Sequence, residues 1–353
     1  MLEPLTQQLL ALRNLSAEEI QAAVAHLIDE TVAAEPKADF LVALAQKGET
    51  PDEIAVFAAA LREKSVVPPI DASWRDAREI LDVVGTGGDH LSTFNISTTV
   101  AILCAAAGVA VAKHGNRAVT SSVGSADVIE ALGIPIDLTP AEAARSLCEH
   151  NFAFFFAPNF HPAFRHIAHA RRLCAGRGRR TIFNILGPLL NPARPSAMLV
   201  GVPRPELCEP MARALQMLGA RRGMVVSGAA GERYLDELST LGKNHVAEFY
   251  QTRGFSAATV AWEHLPLQPA TLADLRGGDK FVNAETIRRI LGGAERGAKR
   301  DAVLLNAGAA LWVAGRAGSL TEGWELAAAT IDGGRAGEKL AELTRPAAEK
   351  IGG

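Results

Sequence analysis

The residues of this chain best suited to chemistry cluster between Gly85 and Ser125. Gly85-Thr-Gly-Gly-Asp89 follows the apolar run Ile80-Leu-Asp-Val-Val84 and precedes a helix start at Asn95-Ile-Ser-Thr98. A strand that ends in a glycine-rich turn ahead of a helix exposes backbone N–H groups at the positive end of that helix, where phosphate binds well. The turn lacks the third glycine of a dinucleotide fingerprint and the Gly-Lys-Ser/Thr of a P-loop. Taken alone it is either a tight turn or an anion cradle. Asn95, Ser97 and Thr98 add side-chain donors and caps at the helix start. Lys113-His-Gly-Asn-Arg117 follows a second β-branched run, Val109–Ala112, and Thr120-Ser-Ser-Val-Gly-Ser125 is a further hydroxyl-rich turn ahead of a helix. Three such loops in succession favour the cradle, because in an α/β sheet each emerges at the carboxyl end of a strand, where ligands bind.

These loops need a largely parallel, buried sheet to aim them. Candidate strands lie at Leu81–Val84, Val109–Ala112, Phe152–Phe156, Met198–Val202 and Gly223–Val226, alternating with helical stretches at Thr98–Ala107, Ala126–Leu132, Ala141–His150 and Glu206–Leu218. That alternation predicts an α/β domain. Before Val67-Pro68-Pro69 the apolar positions recur only at helical spacing, through Ile20, Val24, Leu27 and Ile28, then Phe40, Leu41 and Leu44. Ser16-Ala-Glu-Glu19 and Thr50-Pro-Asp-Glu53 are capping boxes. The expectation is a helical domain over residues 1–70, rejoined by about 161–190, and an α/β domain over 71–353. Arg177–Arg180 reads as a loop, and Arg335-Ala-Gly-Glu338 as a turn between C-terminal helices.

The composition narrows the setting. With 48% hydrophobic residues in 353, the chain can bury a large core. Lysine and arginine number 36 against 39 acids, a net charge of -3, so no global positive field draws it to nucleic acid or to a membrane. The start has no basic head with an apolar stretch, and no run of about 18 apolar residues occurs. The four cysteines are far apart, without metal-ligand spacing, which points to a reduced, cytoplasmic setting. His161, His166 and His169 lack the HExxH pattern of a zinc site.

The ordered set GTGGD, TFNIST, KHGNRA, GSADVIEALG, HPAFRHIAHARR, TIFNILGPLLNPARP and LDELS resembles the anthranilate phosphoribosyltransferase family, from the helical region to the C-terminal helices. The resemblance implies a fold like that of the pyrimidine nucleoside phosphorylases, with a small helical domain hinged to a larger α/β domain and a site between them, as a homodimer. It implies the second step of tryptophan biosynthesis: transfer of the phosphoribosyl group of phosphoribosyl pyrophosphate (PRPP) to the amine of anthranilate. By the same resemblance Gly85, Gly88, Asp89, Thr93, Asn95, Ile96, Ser97, Thr98, Lys113, Asn116, Ser121 and Ser125 bind PRPP. Gly85, Asn116 and Arg171 meet anthranilate, Arg171 through its carboxylate. Ser97, Asp236 and Glu237 hold Mg²⁺, two ions per subunit. Lys113 is catalytic through its charge, and His114 is a candidate acceptor of the amine proton late in the reaction.

These residue types suit the roles. Amides and hydroxyls orient phosphate oxygens, a guanidinium fork matches a planar carboxylate, and Mg²⁺ needs only one or two carboxylates beside substrate oxygens. Two departures stand out. The stretch from Arg171 to Thr181 is about three residues longer than the family's, through Cys174-Ala-Gly-Arg-Gly, which leaves Arg172 and Arg180 as alternatives to Arg171. Val123 stands where a small hydroxyl or thiol residue is common. The rivals are a nucleoside phosphorylase-like enzyme and a non-catalytic nucleic-acid-binding relative. KHGNR and LDELS argue against the first, and the intact motifs with negative net charge against the second.

Overall fold

The computed structural model describes residues 1–118, 123–252, 254–262 and 264–344. Four helices come first: α1 (Leu2–Leu10), α2 (Ala17–Ile28), α3 (Ala34–Lys47) and α4 (Pro51–Arg62). Both boxes read from the sequence form. Ser16 Oγ accepts from Glu19 N at 3.2 Å and Glu19 accepts from Ser16 N at 2.8 Å, and Thr50 and Glu53 exchange the same pair of bonds at 3.2 and 2.9 Å. Such caps contribute about 1 kcal/mol each. Glu53 does more. Buried at the base of α4, it also accepts from Leu15 N at 3.0 Å and from Lys47 Nζ at 2.6 Å, fastening the α1–α2 connection and the end of α3 to the start of α4.

A short α5 (Ala72–Asp76) leads into alternating elements: β1 (Ile80–Gly85), α6 (Ile96–Ala106), β2 (Ala110–Gly115), α7 (Ser125–Leu132), α8 (Pro140–His150), β3 (Phe152–Phe156), α9 (Ala157–Phe160), α10 (Ala168–Gly176), β4 (Ala197–Gly201), α11 (Cys208–Met217) and β5 (Arg222–Ala230). The five candidate strands are therefore present, as are the helices between them, each within a few residues of its sequence bounds. β6 (Arg233–Leu235), β7 (Asn244–Tyr250) and β8 (Gly254–Val260) follow, then α12 (Lys280–Leu291), α13 (Ala298–Val313), α14 (Leu320–Asp332) and α15 (Arg335–Leu343). Arg335–Glu338 is thus the first turn of α15 and not a turn between helices. The reversal lies just before it, at Gly333-Gly334, where Gly334 takes the left-handed conformation (φ 81°) that a glycine adopts without strain.

All eight strands join one sheet, in the order β3-β2-β1-β4-β5-β7-β8, with β6 paired to β5. β3, β2, β1, β4 and β5 run parallel, and β6, β7 and β8 add antiparallel pairs. One face carries the core formed with α6, α7 and α12 to α15. On the other face α11 packs in a core continuous with α1 to α4 and α10. The chain runs from β1 outward to β2 and β3, then returns to place β4 on the opposite side of β1. That reversal makes the carboxyl ends of β1 and β4 the topological switch point, where open α/β sheets form a ligand crevice.

Residues 161–190 lie against the N-terminal helices. Lys37 Nζ donates to the His166 carbonyl at 3.0 Å, Cys174 Sγ to the Ala38 carbonyl at 3.6 Å, Arg177 pairs with Asp39 at 2.6 Å, and Arg62 Nε donates to the Leu189 carbonyl. All four cysteines are free thiols, and among the described residues no helix is long and apolar enough to cross a membrane.

Candidate active site

Glycines open the switch-point crevice. Gly85 and Gly201 end β1 and β4 and pair directly. A Cβ on Gly85 would come within 2.9 Å of Asp236 Oδ2, and one on Gly201 within 1.6 Å of the Asp236 carbonyl oxygen. The chain after β6 therefore crosses the ends of β1 and β4 at a distance that only glycine permits, and sets Asp236 and Glu237 beside the glycine-rich loop. Asp236 Oδ2 accepts from Gly87 N at 2.5 Å and from Thr86 Oγ1 at 3.4 Å, while Glu237 Oε1 accepts from Ser97 N at 3.2 Å at the start of α6. Ser97, Asp236 and Glu237 are thus brought together across about 140 residues of sequence, as the loop-closing geometry of a sheet end allows.

Burial raises the pKa of both carboxyls, Asp236 with help from neighbouring Asp89 and Glu237 with help from Asp236. Two buried acids this close are short of positive charge. Lys113, buried on β2, faces Glu237 and donates to the Val83 carbonyl at 2.8 Å; burial lowers its pKa while Asp82 and Glu237 raise it. The donor set fits a hard divalent cation that keeps waters and takes its other ligands from substrate oxygens. Among the described residues no group of three or more His, Cys, Asp or Glu side chains forms a closed metal site, and His161, His166 and His169 form none.

The loop from Gly85 to Thr98 is tied down from several sides. Asp89 Oδ1 accepts from Leu91 N at 3.0 Å, and its Oδ2 faces Asp236 N at 3.5 Å. Arg233 Nη2 donates to the carbonyls of Asp89 and His90 at 2.8 and 3.0 Å, and Arg180 Nη2 donates to the Gly88 carbonyl at 3.3 Å and reaches His90 Nε2 at 3.1 Å. His90 and Ser92 both take positive φ, 54° and 55°, a strained backbone that these contacts hold in place. Thr93 bridges Arg276. Asn95 occupies the N-cap position of α6 but makes no side-chain cap bond; its Oδ1 accepts instead from Asn283 Nδ2 at 3.0 Å. Ile96 puts its side chain in the core and its N–H on the Phe94 carbonyl at 2.7 Å, and Thr98 is buried with its hydroxyl unpaired.

Asp127 organises the second loop. Its Oδ2 accepts from Ala118 N at 3.1 Å and Gly124 N at 3.0 Å, and its Oδ1 pairs with Arg117 at 3.1 Å. Asn116 Oδ1 accepts from Arg117 N at 2.8 Å. Ser125 begins α7 with its hydroxyl where a Cβ on Gly115 would sit. Ser121 lies outside the described residues.

Successive residues of a strand face opposite sides of the sheet, so His114 points away from Lys113. Its ring meets His161 edge-on at 5.2 Å, His161 lies 5.1 Å from Phe164, and Phe164 meets Phe183 at 5.9 Å. The Arg171 guanidinium closes the row, 5.5 Å from the Phe183 ring centre. Burial, aided by His161, pushes the His114 pKa down to about 3, and burial brings His161 to about 4, so both rings are neutral at pH 7. His114 Nε2 and both nitrogens of His161 are buried without a hydrogen bond. Arg171 is half-buried with its pKa lowered by burial, and no carboxylate among the described residues pairs with it. Arg172 is exposed, and Arg180 is engaged at the phosphate-type loop. The wall is apolar and aromatic, carries polar nitrogens without a hydrogen bond, and ends in a guanidinium that no carboxylate pairs with among the described residues: it suits a flat aromatic acid. The resemblance implies that the segment holding His161 helps admit the aromatic substrate; sequence reasoning missed the row that it forms with Phe183, as well as Arg233 and Asp127. Only Asp127 had a local signal, standing three residues after Gly124 at a helix start.

Residues 3–65 match the helical bundle domain of a glycosyl transferase family, and residues 77–337 match the a/b domain of that family. The chain is 46% identical over 330 residues, 94% of its length and 93% of the relative's, to the anthranilate phosphoribosyltransferase of Lacticaseibacillus paracasei. It superposes with a TM-score of 0.86 on the anthranilate phosphoribosyltransferase of Thermus thermophilus, at 42% identity and covering 96% of this chain and 98% of that one. The Saccharomyces cerevisiae enzyme in complex with PRPP and Mg superposes with a TM-score of 0.85 at 27% identity, covering 97% and 96%. With a helical bundle, an α/β sheet and a carboxylate pair at its switch point, the chain belongs to the anthranilate phosphoribosyltransferase family.

Proposed function

We propose that this protein transfers the 5-phosphoribosyl group of PRPP to the amine of anthranilate, releasing pyrophosphate. One observation carries the substrate assignment: the guanidinium of Arg171, which pairs with no carboxylate among the described residues, ends an aromatic wall that begins at His114, next in sequence to Lys113. The two faces of β2 thereby serve two substrates, a charged phosphate donor on the Lys113 side and an aromatic acid on the His114 side.

PRPP lies along Gly85, Gly88, Asp89, Thr93, Asn95, Ile96, Ser97, Thr98, Lys113, Asn116, Ser121 and Ser125, with loop amides and hydroxyls on its phosphate oxygens. Asp236, Glu237 and Ser97 hold Mg²⁺, a use of the metal that the Mg in the yeast relative supports, and the reading takes two ions per subunit. The bound ions neutralise charge on the departing pyrophosphate. Lys113 lies on the same side; burial lowers its pKa more than Asp82 and Glu237 restore it, and in its charged form it would act strongly in so buried a setting. Arg171 grips the anthranilate carboxylate, with Gly85 and Asn116 nearby, so that the amine points at the anomeric carbon. An arylamine is neutral at pH 7, so no strong base has to act before the attack. His114 is neutral too. Its unpaired Nε2 can accept the amine's hydrogen bond, and with so low a pKa it does not keep the proton that the amine loses late in the reaction, which ends on the more basic released pyrophosphate.

The helical domain comprises residues 1–70 with about 161–190, and the α/β domain comprises 71–353; the bonds from Lys37, Asp39 and Arg62 into 166–189 support that division. The protein acts as a cytoplasmic homodimer. Its free cysteines support the compartment, and the exposed Leu10 and Leu12 at the end of α1 offer apolar surface for a second copy. Loss of anthranilate fluorescence that depends on both PRPP and Mg²⁺ tests the activity. Folded protein that consumes none over a wide substrate range, or that instead cleaves pyrimidine nucleosides with phosphate, would overturn it.

A further inference from the structure

The carboxylate pair sits outside any strand ladder. β6 ends at Leu235 and β7 begins at Asn244, and the backbone between them is buried at Asp236–Ser239, where its polar groups need partners. Two asparagines supply them from outside the segment. Asn306, wholly buried in the middle of α13, accepts from Leu238 N at 2.9 Å and donates to the Leu238 carbonyl at 2.9 Å, with a further bond to the Ala302 carbonyl at 2.9 Å. Asn244 does the same for Ser239, at 2.7 and 3.0 Å. On the other side glycines let the segment approach closely: a Cβ on Gly228 would come within 2.6 Å of the Glu237 carbonyl oxygen, and Gly201 and Gly85 leave no more room.

The helix that carries Asn306 is itself fixed, because Gly308 and Gly323 back onto each other where α13 crosses α14. An amide amid the apolar residues of α13 is costly unless it is fully paired, and here its oxygen and one N–H are spent on the backbone N–H and C=O of a single residue, Leu238, beside Glu237. We propose that Asn306 is a positioning residue, holding Leu238 and so aiming the adjoining Asp236–Glu237 pair into the crevice beside Lys113. The inference rests on that pair being the cation site.

The test is calorimetric binding of PRPP to the full chain as Mg²⁺ is titrated, in wild type, Asn306→Leu, Asn306→Ser, Glu237→Gln and the double variant Asn306→Ser/Glu237→Gln. The serine can bond the Ala302 carbonyl one turn back and keeps the helix satisfied, but is too short to clamp Leu238. The Mg²⁺ concentration for half-maximal PRPP binding should rise about tenfold or more in the Asn306 variants, while KM for anthranilate at saturating Mg²⁺ stays within about twofold of wild type. In the double variant the loss should fall short of the product of the two single losses, because both act through one carboxylate. An unchanged Mg²⁺ requirement in a folded Asn306 variant, or losses that simply multiply, would overturn the proposal. No effect of Glu237→Gln by itself would remove the cation site and the proposal with it.

Discussion

Gly201→Ala tests the crevice most directly. A methyl group there would lie 1.6 Å from the Asp236 carbonyl oxygen and 2.2 Å from its carbonyl carbon, where an ordinary contact needs at least 3.4 Å. The crossing segment must retreat by about 1.8 Å, and both of its neighbours are backbone, so no side chain can swing aside. Overpacking of this kind costs about 1–3 kcal/mol of stability. The functional loss should match the upper end of that range, because a displacement of about 1 Å at a reacting centre can cost about a hundredfold in rate, about 2.7 kcal/mol. Denaturant unfolding and steady-state kinetics on the same preparation separate the two effects. Gly176→Ala is the control: it sits at the end of α10, has negative φ and nothing within 4 Å of the added methyl, and should be neutral or slightly stabilising. A Gly201→Ala protein with wild-type kcat/KM would refute the claim that the glycine holds the carboxylate pair in place.

Arg171→Ala should raise KM for anthranilate by roughly one to two orders of magnitude, the worth of a charge-assisted pair, and leave KM for PRPP nearly unchanged; equal losses for both substrates would argue against its contact with the carboxylate. Burial holds the His161 pKa at about 4 against 6.5 in the unfolded chain, so the unfolded state takes up the proton first and stability is lost as pH falls from 6.5 toward 4. By pH 5 the wild type should have lost about 2 kcal/mol through this ring, which His161→Phe keeps, so the stability gap between the two proteins must change by that amount between pH 7.5 and 5. A constant gap would show that the ring is not held neutral. Glu53→Gln should destabilise the fold by about 3 kcal/mol in urea unfolding, because it takes the counter-charge from the buried Lys47 ammonium and leaves it only the Asn14 and Gly48 oxygens; a loss under about 1 kcal/mol would mean that the caps alone carry the residue's contribution.

Much of the site's chemistry was legible in the sequence where the signal was local. GTGGD, NIST and KHGNR each combine a strand end, a turn and a helix start within a few residues, and the periodicity that forms those elements also marks where donors will point. The two capping boxes and the parallel strands were legible for the same reason. β7 was not: His245, Ala247 and Phe249 face one side and Val246, Glu248 and Tyr250 the other, so neither face is uniformly apolar and the two-residue contrast is lost. Local habit makes Asn95 a cap, but a longer-range partner, Asn283, takes its side chain.

The sequence by itself determined which residues could bind phosphate, which helices would be capped, and that a helical bundle precedes an α/β sheet, because each of these follows from neighbours along the chain. Only the tertiary structure decided that β4 would return beside β1, so that Gly85 and Gly201 face the same pair of acids. It alone built the wall from His114 to Arg171 and set Asn306 against Leu238. Those contacts join residues scores of positions apart, and they form because the burial of whole helix and sheet faces leaves the chain one close-packed arrangement, information that no short stretch of residues carries.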